Sequence, residues 1–375
     1  MNFLLSAGEA SGDNYGAQLI EALRQLVPGP QFFGMGGEKM REGGFDAQVH
    51  ANEVAVVGLA EVVTHLPQIR RRFKHLVEEA ALRKPDAAIL IDFPDFNLRL
   101  ARELHHLGIP VFYFVSPQLW AWRTGRVEQI KKYVQKMIVI FPFEQEFYRQ
   151  HGVDVAFVGH PLAYQPLPQV SRSDFAAQYK LDAAKEWIAL LPGSRRRELR
   201  LNLPEMLEAA ELLTKQGRDY EYLLPVANTL DPEWVQYQLG PAYRLIKLTE
   251  NAQATVMLSR AAVVASGTAT VEAALTGTPF VVVYRLSPLT WLLGRRLVKL
   301  DTFAMPNLIA GKKIVTELIQ YDFTGDAVVR ELERILPDGD ARSEMQHALG
   351  EVKRKLAVTD APALRAAEEI VKAIT

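Results

Sequence analysis

Short apolar runs alternate with longer stretches of helical periodicity through the first half of the chain. Residues 3–5, 31–33, 85–91, 110–115 and 136–140 are dominated by Phe, Leu, Ile, Val and Ala with little polar alternation. Such runs predict strands covered on both faces, as in a parallel sheet. Helical patterns lie between them, at 18–26, 68–83, 97–107 and 143–151. Strands alternating with helices predict a parallel, doubly wound α/β sheet. The stretch GHPLAYQPLPQVSRSD, residues 159–174, interrupts the pattern with three prolines and few periodic apolar positions, so it reads as a linker. The alternation then restarts, with apolar runs at 187–191, 222–225, 244–248, 262–265 and 279–284. A helical pattern from 342 to 375 closes the chain. The expected fold class is α/β, with two Rossmann-like doubly wound domains facing a cleft. The first is expected over 1–164 and the second over 165–344. The tail from about 345 to 375 is expected to pack back on the first domain or on a partner chain.

Composition narrows the classes of function. A chain of 375 residues exceeds one ordinary core, which agrees with two domains. With 49% hydrophobic and 23% charged residues it has the make-up of a soluble globular protein. The net charge of −1 gives no global field favouring nucleic acid. There is no cysteine, so disulfides, thiolate nucleophiles and Cys-based metal sites are excluded. The start, MNFLLSAGEASGD, lacks the basic region and long apolar stretch of a signal peptide, and no apolar run reaches the length of a membrane span. A cytoplasmic location is expected, with a membrane surface still open to the protein.

In doubly wound sheets ligands sit outside the carboxyl ends of the strands, so the residues just after each run matter most. SAGEASGDNYGAQL follows the first run and carries Gly8, Gly12 and Gly16. Glycines there allow close backbone approach at a helix start, or simply make a tight turn. The spacing is not G-x-G-x-x-G, and GMGG at 34–37 lacks the third glycine, so a nicotinamide cofactor is poorly supported. LLPGSRRRELR, residues 190–200, ends a run in a Gly-Ser turn followed by three arginines. Backbone amides, the Ser194 hydroxyl and the guanidinium of Arg195 would converge on one anion, suited to phosphate. Arg196 and Arg197 read equally as a solvated helix start. ASGTATVE repeats the logic: Ser266-Gly267-Thr268 opens a helix whose amides could hold a diphosphate. Glu272, one turn on, could accept hydrogen bonds from a sugar diol or merely complement the helix dipole. Two anion-binding turns in one domain point to a nucleotide diphosphate.

Asp92 is the first polar residue off the run 85–91, and a carboxylate at that place suits a general base. Asp95 reads as the cap of the next helix. VSPQLWAWRTGR, residues 115–126, offers Trp120 and Trp122 as an apolar wall and Arg123 and Arg126 as phosphate partners, with at least one ring expected in the core. His160 beside the linker is read as orienting the junction, not as catalytic. Residues 54–76 mix Val57, Leu59, Val62, Val63 and Leu66 with Arg70, Arg71, Arg72 and Lys74. That pattern fits a core helix, and also an anionic membrane interface or an acyl chain.

These motifs together resemble the lipid-A-disaccharide synthase family, inverting glycosyltransferases of the GT-B type. The resemblance runs through almost the whole chain. It rests on AGEASGD at 7–13, VVGLAEV at 56–62, IDFPDFN at 91–97, VSPQLWAWR at 115–123, PFE at 142–144 and VGHP at 158–161. In the second half it rests on LLPGSR at 190–195, SGTATVE at 266–272, YR at 284–285 and MPNLIAG at 305–311. Phe93 stands where a small residue is more usual, and GSRRRE is more basic than typical. The resemblance implies transfer of 2,3-diacylglucosamine from UDP-2,3-diacylglucosamine to the 6-hydroxyl of 2,3-diacylglucosamine 1-phosphate (lipid X), with inversion. The products would be the β-1,6-linked lipid A disaccharide 1-phosphate and UDP. It implies Asp92 as base and Ser194, Arg195, Ser266, Gly267, Thr268, Glu272 and Asn307 around UDP. Gly8, Glu9, Ser11, Asp13, Asp95, Asn97, Trp122 and Arg123 would line the acceptor side. Val57, Leu59, Val62, Val63, Leu66, Arg70, Arg71 and Arg72 would meet acyl chains and an anionic membrane surface, on the inner face of the cytoplasmic membrane. No cofactor and no metal are implied, and the family's dimers suggest a homodimer. The alternative is a UDP-N-acetylglucosamine 2-epimerase or another UDP-sugar glycosyltransferase of the same fold.

Overall fold

Seven parallel strands form the first sheet: β1 (Asn2–Ala7), β2 (Gln31–Gly36), β3 (Asp46–His50), β4 (Ala87–Ile91), β5 (Val111–Phe114), β6 (Lys136–Val139) and β7 (Val155–Phe157). Their order is β3-β2-β1-β4-β5-β6-β7. Six more form a second sheet: β8 (Glu186–Leu191), β9 (Tyr220–Pro225), β10 (Ile246–Thr249), β11 (Ala261–Ala265), β12 (Phe280–Tyr284) and β13 (Glu317–Ile319), in the order β10-β9-β8-β11-β12-β13. The computed structural model describes residues 1–54, 59–122, 124–287 and 302–375. Its chain divides into two compact units, Met1–Tyr164 with Leu356–Thr375, and Gln165–Lys355. The two parallel sheets are the α/β, doubly wound architecture that the alternation predicts. In each sheet the strand order reverses at one point, between β1 and β4 in the first and between β8 and β11 in the second. The loops leaving those strand pairs diverge to opposite faces and open a crevice for ligands.

The apolar runs become strands because both their faces are covered. All five residues of β4 are fully buried. On one face of the first sheet lie the helices Leu59–Arg83 and Pro94–His106, which bury Leu76, Ala80, Leu98, Leu100 and Leu104. On the other face the helix Ala10–Leu26 inserts Leu19, Ile20 and Leu23. Beside it the last helix, Pro362–Ile374, inserts Ala363, Ala366, Ala367 and Ile370. This closing helix is tied to its own unit by Lys136 Nζ to Glu369 at 2.8 Å and by Gln135 Nε2 to the Ala373 carbonyl at 3.2 Å. The chain enters it past Gly159, whose φ is +91° and where a Cβ would collide with Val358.

The structure departs from the expected elements at the sheet edges. β3, β7 and β13 follow no apolar run. Each has a neighbour on one side only, or lies where one face is partly exposed, so its residues are not uniformly apolar. The expected linker is partly regular. Residues Pro161–Tyr164 form a short helix, and Ser171 caps the helix Arg172–Tyr179 by accepting from the Asp174 amide. Among the described residues no helix is long and apolar enough to cross a membrane.

Candidate active site

The turn after β4 is strained. Asp92 and Phe93 have φ of 45° and 51°, two successive non-glycine residues in the left-handed region. That conformation costs about 1–2 kcal/mol per residue, so the surroundings must enforce it. Three groups do. The Tyr113 hydroxyl donates to the Asp92 carbonyl at 2.7 Å. The Asn97 amide Nδ2 donates to the same carbonyl at 2.8 Å and to the Ile91 and Ser6 carbonyls at 3.2 Å each. Asn97 Oδ1 in turn accepts from Ser6 Oγ at 2.6 Å. The result fixes a carboxylate at the carboxyl end of β4, next to the turn leaving β1, since Ala7 pairs with Ile91. The Phe93 ring packs on Gly8, where a Cβ would collide with it. Burial pushes the Asp92 carboxyl up to about 6, the nearby Glu9 charge adds to the rise, and a hydrogen bond from the Phe93 amide opposes it. A carboxylate with that value is a competent proton acceptor near neutral pH. At the end of β5, Val115 has φ of 63°, an outlier for a β-branched residue.

Several residues expected on the acceptor side are engaged with other protein groups. Asn97 is fully buried, and both ends of its amide hold the turn described above. Asp13 is buried too. Its Oδ1 accepts from the Gly37 and Met40 amides at 2.8 and 3.2 Å, and Oδ2 from Lys39 at 3.0 Å, anchoring the start of the helix Glu38–Glu42. Asp95 is not a cap. Phe93 holds the N-cap position, and Asp95 sits exposed in the first turn, paired with Arg126 at 2.7 Å. Arg126, expected to meet phosphate, is engaged by that pair. Glu9 and Ser11 are exposed at the start of the helix Ala10–Leu26, and Gly8 is buried. Trp122 lies in the short helix Leu119–Trp122, but its side chain and all of Arg123 lie outside the described residues. His160 is buried with its Nδ1 accepting from Leu162 at 3.2 Å. Burial pushes its imidazole down to about 4, so it is neutral near pH 7.

One group stood in the sequence only as part of PFE, with no role assigned. Glu144 is buried, and burial pushes its carboxyl up to about 8. Trp120 Nε1 donates to it at 3.3 Å and the Phe141 amide at 3.3 Å. A Glu in the first turn of a helix, two residues after Pro142, looks like an ordinary surface cap. The signal that could have found it is the apolar run immediately before it.

In the second unit the turn after β8 has Gly193 at φ of +121°, with Ser194 and Arg195 exposed. The helix Arg196–Lys215 starts there. Glu198 closes on its own helix start: Oε2 accepts from the Ser194 and Arg195 amides at 3.1 and 3.3 Å, and Oε1 pairs with Arg195 Nη1 at 3.0 Å. A carboxylate thus rests on the same amides and guanidinium that suit a phosphate oxygen. The turn after β11 places Gly267 at φ of +142°, with nothing near the position of a Cβ, before the helix Thr268–Thr276. Ser266 is half-buried and Thr268 exposed. Burial raises the Glu272 carboxyl. Asn307, expected beside a nucleotide, is held by protein groups on its own unit. It is buried, its Nδ2 donates to the Val315 carbonyl at 3.0 Å and to Glu317 at 2.7 Å, and its Oδ1 accepts from the Ile314 and Val315 amides. It shapes the turn into β13.

The expected acyl and membrane segment divides at Pro67. Val57 lies outside the described residues. Leu59, Val62 and Val63 belong to the helix Leu59–Arg83, but their side chains lie outside them as well. Leu66 is half-buried. Beyond Pro67 the helix turns Ile69, Phe73, Leu76, Val77 and Ala80 to the core and leaves Arg70 and Arg71 exposed. Arg72 is half-buried and forms an ion pair with Glu53.

Two parallel sheets, each with its strand order reversed at one point, give the chain the fold of GT-B-type glycosyltransferases. The fold is similar to that of the kitacinnamycin glycosyltransferase, with a TM-score of 0.66 and 16% identity over 99% of this chain and 98% of that one. It is similar to that of the UDP-GlcNAc 2-epimerase from Neisseria meningitidis bound to UDP-GlcNAc, at 0.60 and 14% over 100% and 99%. At such identities the likeness concerns the fold alone. The family model described as lipid-A-disaccharide synthetase matches residues 3–371. The lipid-A-disaccharide synthase of Koribacter versatilis is 55% identical over 359 residues, 95% of this chain and 93% of its own. That of Acidobacterium capsulatum is 50% identical over 97% and 94%. The chain belongs to the lipid-A-disaccharide synthase family, and it is an enzyme, a glycosyltransferase of lipid A biosynthesis. Identity at this level sets aside the epimerase, which the fold alone left open.

Proposed function

We propose that this chain transfers 2,3-diacylglucosamine from its UDP derivative to the 6-hydroxyl of 2,3-diacylglucosamine 1-phosphate, with Asp92 as general base. The acceptor oxygen attacks the anomeric carbon from the face opposite UDP. Its proton passes to the Asp92 carboxylate, the bond to the diphosphate oxygen breaks, and the new linkage is β-1,6. The leaving diphosphate is stabilised by Arg195 and by the amides around Ser194 and Gly267, with Ser266 and Thr268 beside them. Glu272 receives the ribose diol. Glu198 must release Arg195 as the diphosphate arrives. The observation that carries this reading is positional: the Asp92 turn and the two anion-competent turns each follow a strand at the reversal point of its sheet.

Both substrates carry acyl chains, so the enzyme works at a cytoplasmic membrane surface in this reading. The exposed Arg70 and Arg71 beside the half-buried Leu66 support it. The closing segment Leu356–Thr375 packs within its own unit. The same contacts made between two chains would give a homodimer, which light scattering reads directly. Incubating the purified protein with both acylated substrates tests the reaction. Mass spectrometry should find the disaccharide 1-phosphate and an equal amount of UDP. UDP released without disaccharide would contradict it.

A further inference from the structure

Glu144 does more than cap its helix. In an ordinary capping box the carboxylate lies at the surface and needs only the backbone amide it accepts from. Here the side chain is 1% exposed and also accepts from Trp120, a residue 24 positions away. The Ser116 hydroxyl adjoins the same carboxyl and shares a 2.8 Å hydrogen bond with Tyr148. Among the described residues none of the groups that act on Glu144 is basic, and the charge that acts on it is the like charge of Asp92. A buried acid must find hydrogen-bond partners. Its ties beyond the cap are the Ser116 hydroxyl, which is itself buried, and the indole of the half-buried Trp120.

That indole belongs to an aromatic face. Trp120 meets the Phe143 ring edge-on at 5.0 Å, and Phe143 stacks on Phe141 at 5.6 Å. All three rings are half-buried, so each keeps some surface open. Trp120 lies in the short helix after β5, and Phe141 and Phe143 at the start of the helix after β6; β5 is the neighbour of β4, which leads into the Asp92 turn. Aromatic faces of this kind suit the apolar face of a sugar ring. We propose that Glu144 is a positioning residue for the acceptor: through Trp120 it fixes the aromatic face on which the acceptor's glucosamine ring lies beside Asp92. The inference rests on the acceptor side of the reading above and adds its recognition surface. Glu144 does not touch the reacting atoms. It acts by holding the indole in one orientation.

Two variants test the link. Trp120→Phe keeps a ring against Phe143 but removes Nε1. Glu144→Leu keeps an apolar side chain of similar bulk in the buried position and removes both acceptor atoms. Acceptor KM and kcat are measured at saturating donor, with UDP affinity by calorimetry and thermal unfolding alongside. Each variant should raise the acceptor KM about tenfold, the worth of one buried hydrogen bond left unmade, with kcat and UDP affinity little changed. The double variant should be no worse than the worse single one, because both remove the same tie. An unchanged acceptor KM in the single variants, or full additivity in the double one, would overturn the inference. Should Glu144→Leu fail to fold, Trp120→Phe decides alone, and an unaltered KM there counts against it. Activity surviving in Asp92→Asn would instead remove the base, and would leave the KM result standing.

Discussion

The hydroxyl of Tyr113 donates a 2.7 Å hydrogen bond to the main-chain carbonyl of Asp92. Tyr113 is fully buried on β5, and the residue it holds has φ of 45°. The contact joins two neighbouring strands at the point where the proposed base leaves the sheet. Tyr113→Phe should therefore lower kcat several-fold while UDP affinity stays as it is. A lost hydrogen bond of this kind costs about 1 kcal/mol of stability, and Asn97 still holds the same carbonyl. Steady-state kinetics with calorimetry would read both, and equal losses in kcat and UDP affinity would count against a local role.

The Asp92 carboxyl also sets a pH dependence. Its value in the folded protein is raised from 3.8 to about 6, chiefly by burial. Between those values the folded form holds a proton that the unfolded form has released, so stability falls as pH rises through that window. Above about 6 the buried charge is fully present and its cost is complete. Asp92→Asn should accordingly melt higher than the parent at pH 8, and the difference should fade below pH 4. Transfer should run the other way, with kcat falling as pH drops below about 6 because the base becomes protonated. Melting curves and kcat across pH 4–8 test the two signs together.

Removing Arg195 should weaken UDP. Charge-assisted contacts to a diphosphate are worth about 1.5–3 kcal/mol, so Arg195→Ala should lose roughly ten- to a hundredfold in affinity. Chelation should leave transfer intact, because Arg195 and the helix amides are assigned the charge of the leaving group. Activity abolished by EDTA and restored by magnesium would refute that assignment.

The basic edge of the helix Leu59–Arg83 gives a further test. Arg70→Gln with Arg71→Gln removes two exposed charges and touches no core residue. Binding to anionic vesicles should fall by about 1 kcal/mol per charge and become less sensitive to salt, with an unchanged melting temperature. Sedimentation with vesicles equal to the parent's would argue against a membrane role for these two residues.

How far the sequence could be read follows from what pattern encodes. β4 was legible because all five of its residues are buried and all are apolar. β3 and β13 were not, since edge strands need no apolar run. Strand order is a long-range property, so the turns could be found but not their place at the reversal points. Asn97, Asp13 and Asn307 were picked out by their place in the motifs, but pattern does not say which protein groups a polar side chain meets. In the fold Asp13 accepts from main-chain amides, and Asn97 and Asn307 hold both main-chain and side-chain groups. Glu144 was missed for the converse reason. A Glu after a proline at a helix start usually faces water, and only the packed structure reveals it buried against Trp120.

The most direct measurement of the central claim is transfer by Asp92→Asn under single-turnover conditions, with UDP affinity measured on the same preparation. The substitution keeps the shape of the side chain and removes its capacity to take a proton. The account predicts a rate lower by about 10²-fold or more with UDP binding unchanged. A rate equal to the parent's in a folded, UDP-binding variant would contradict it.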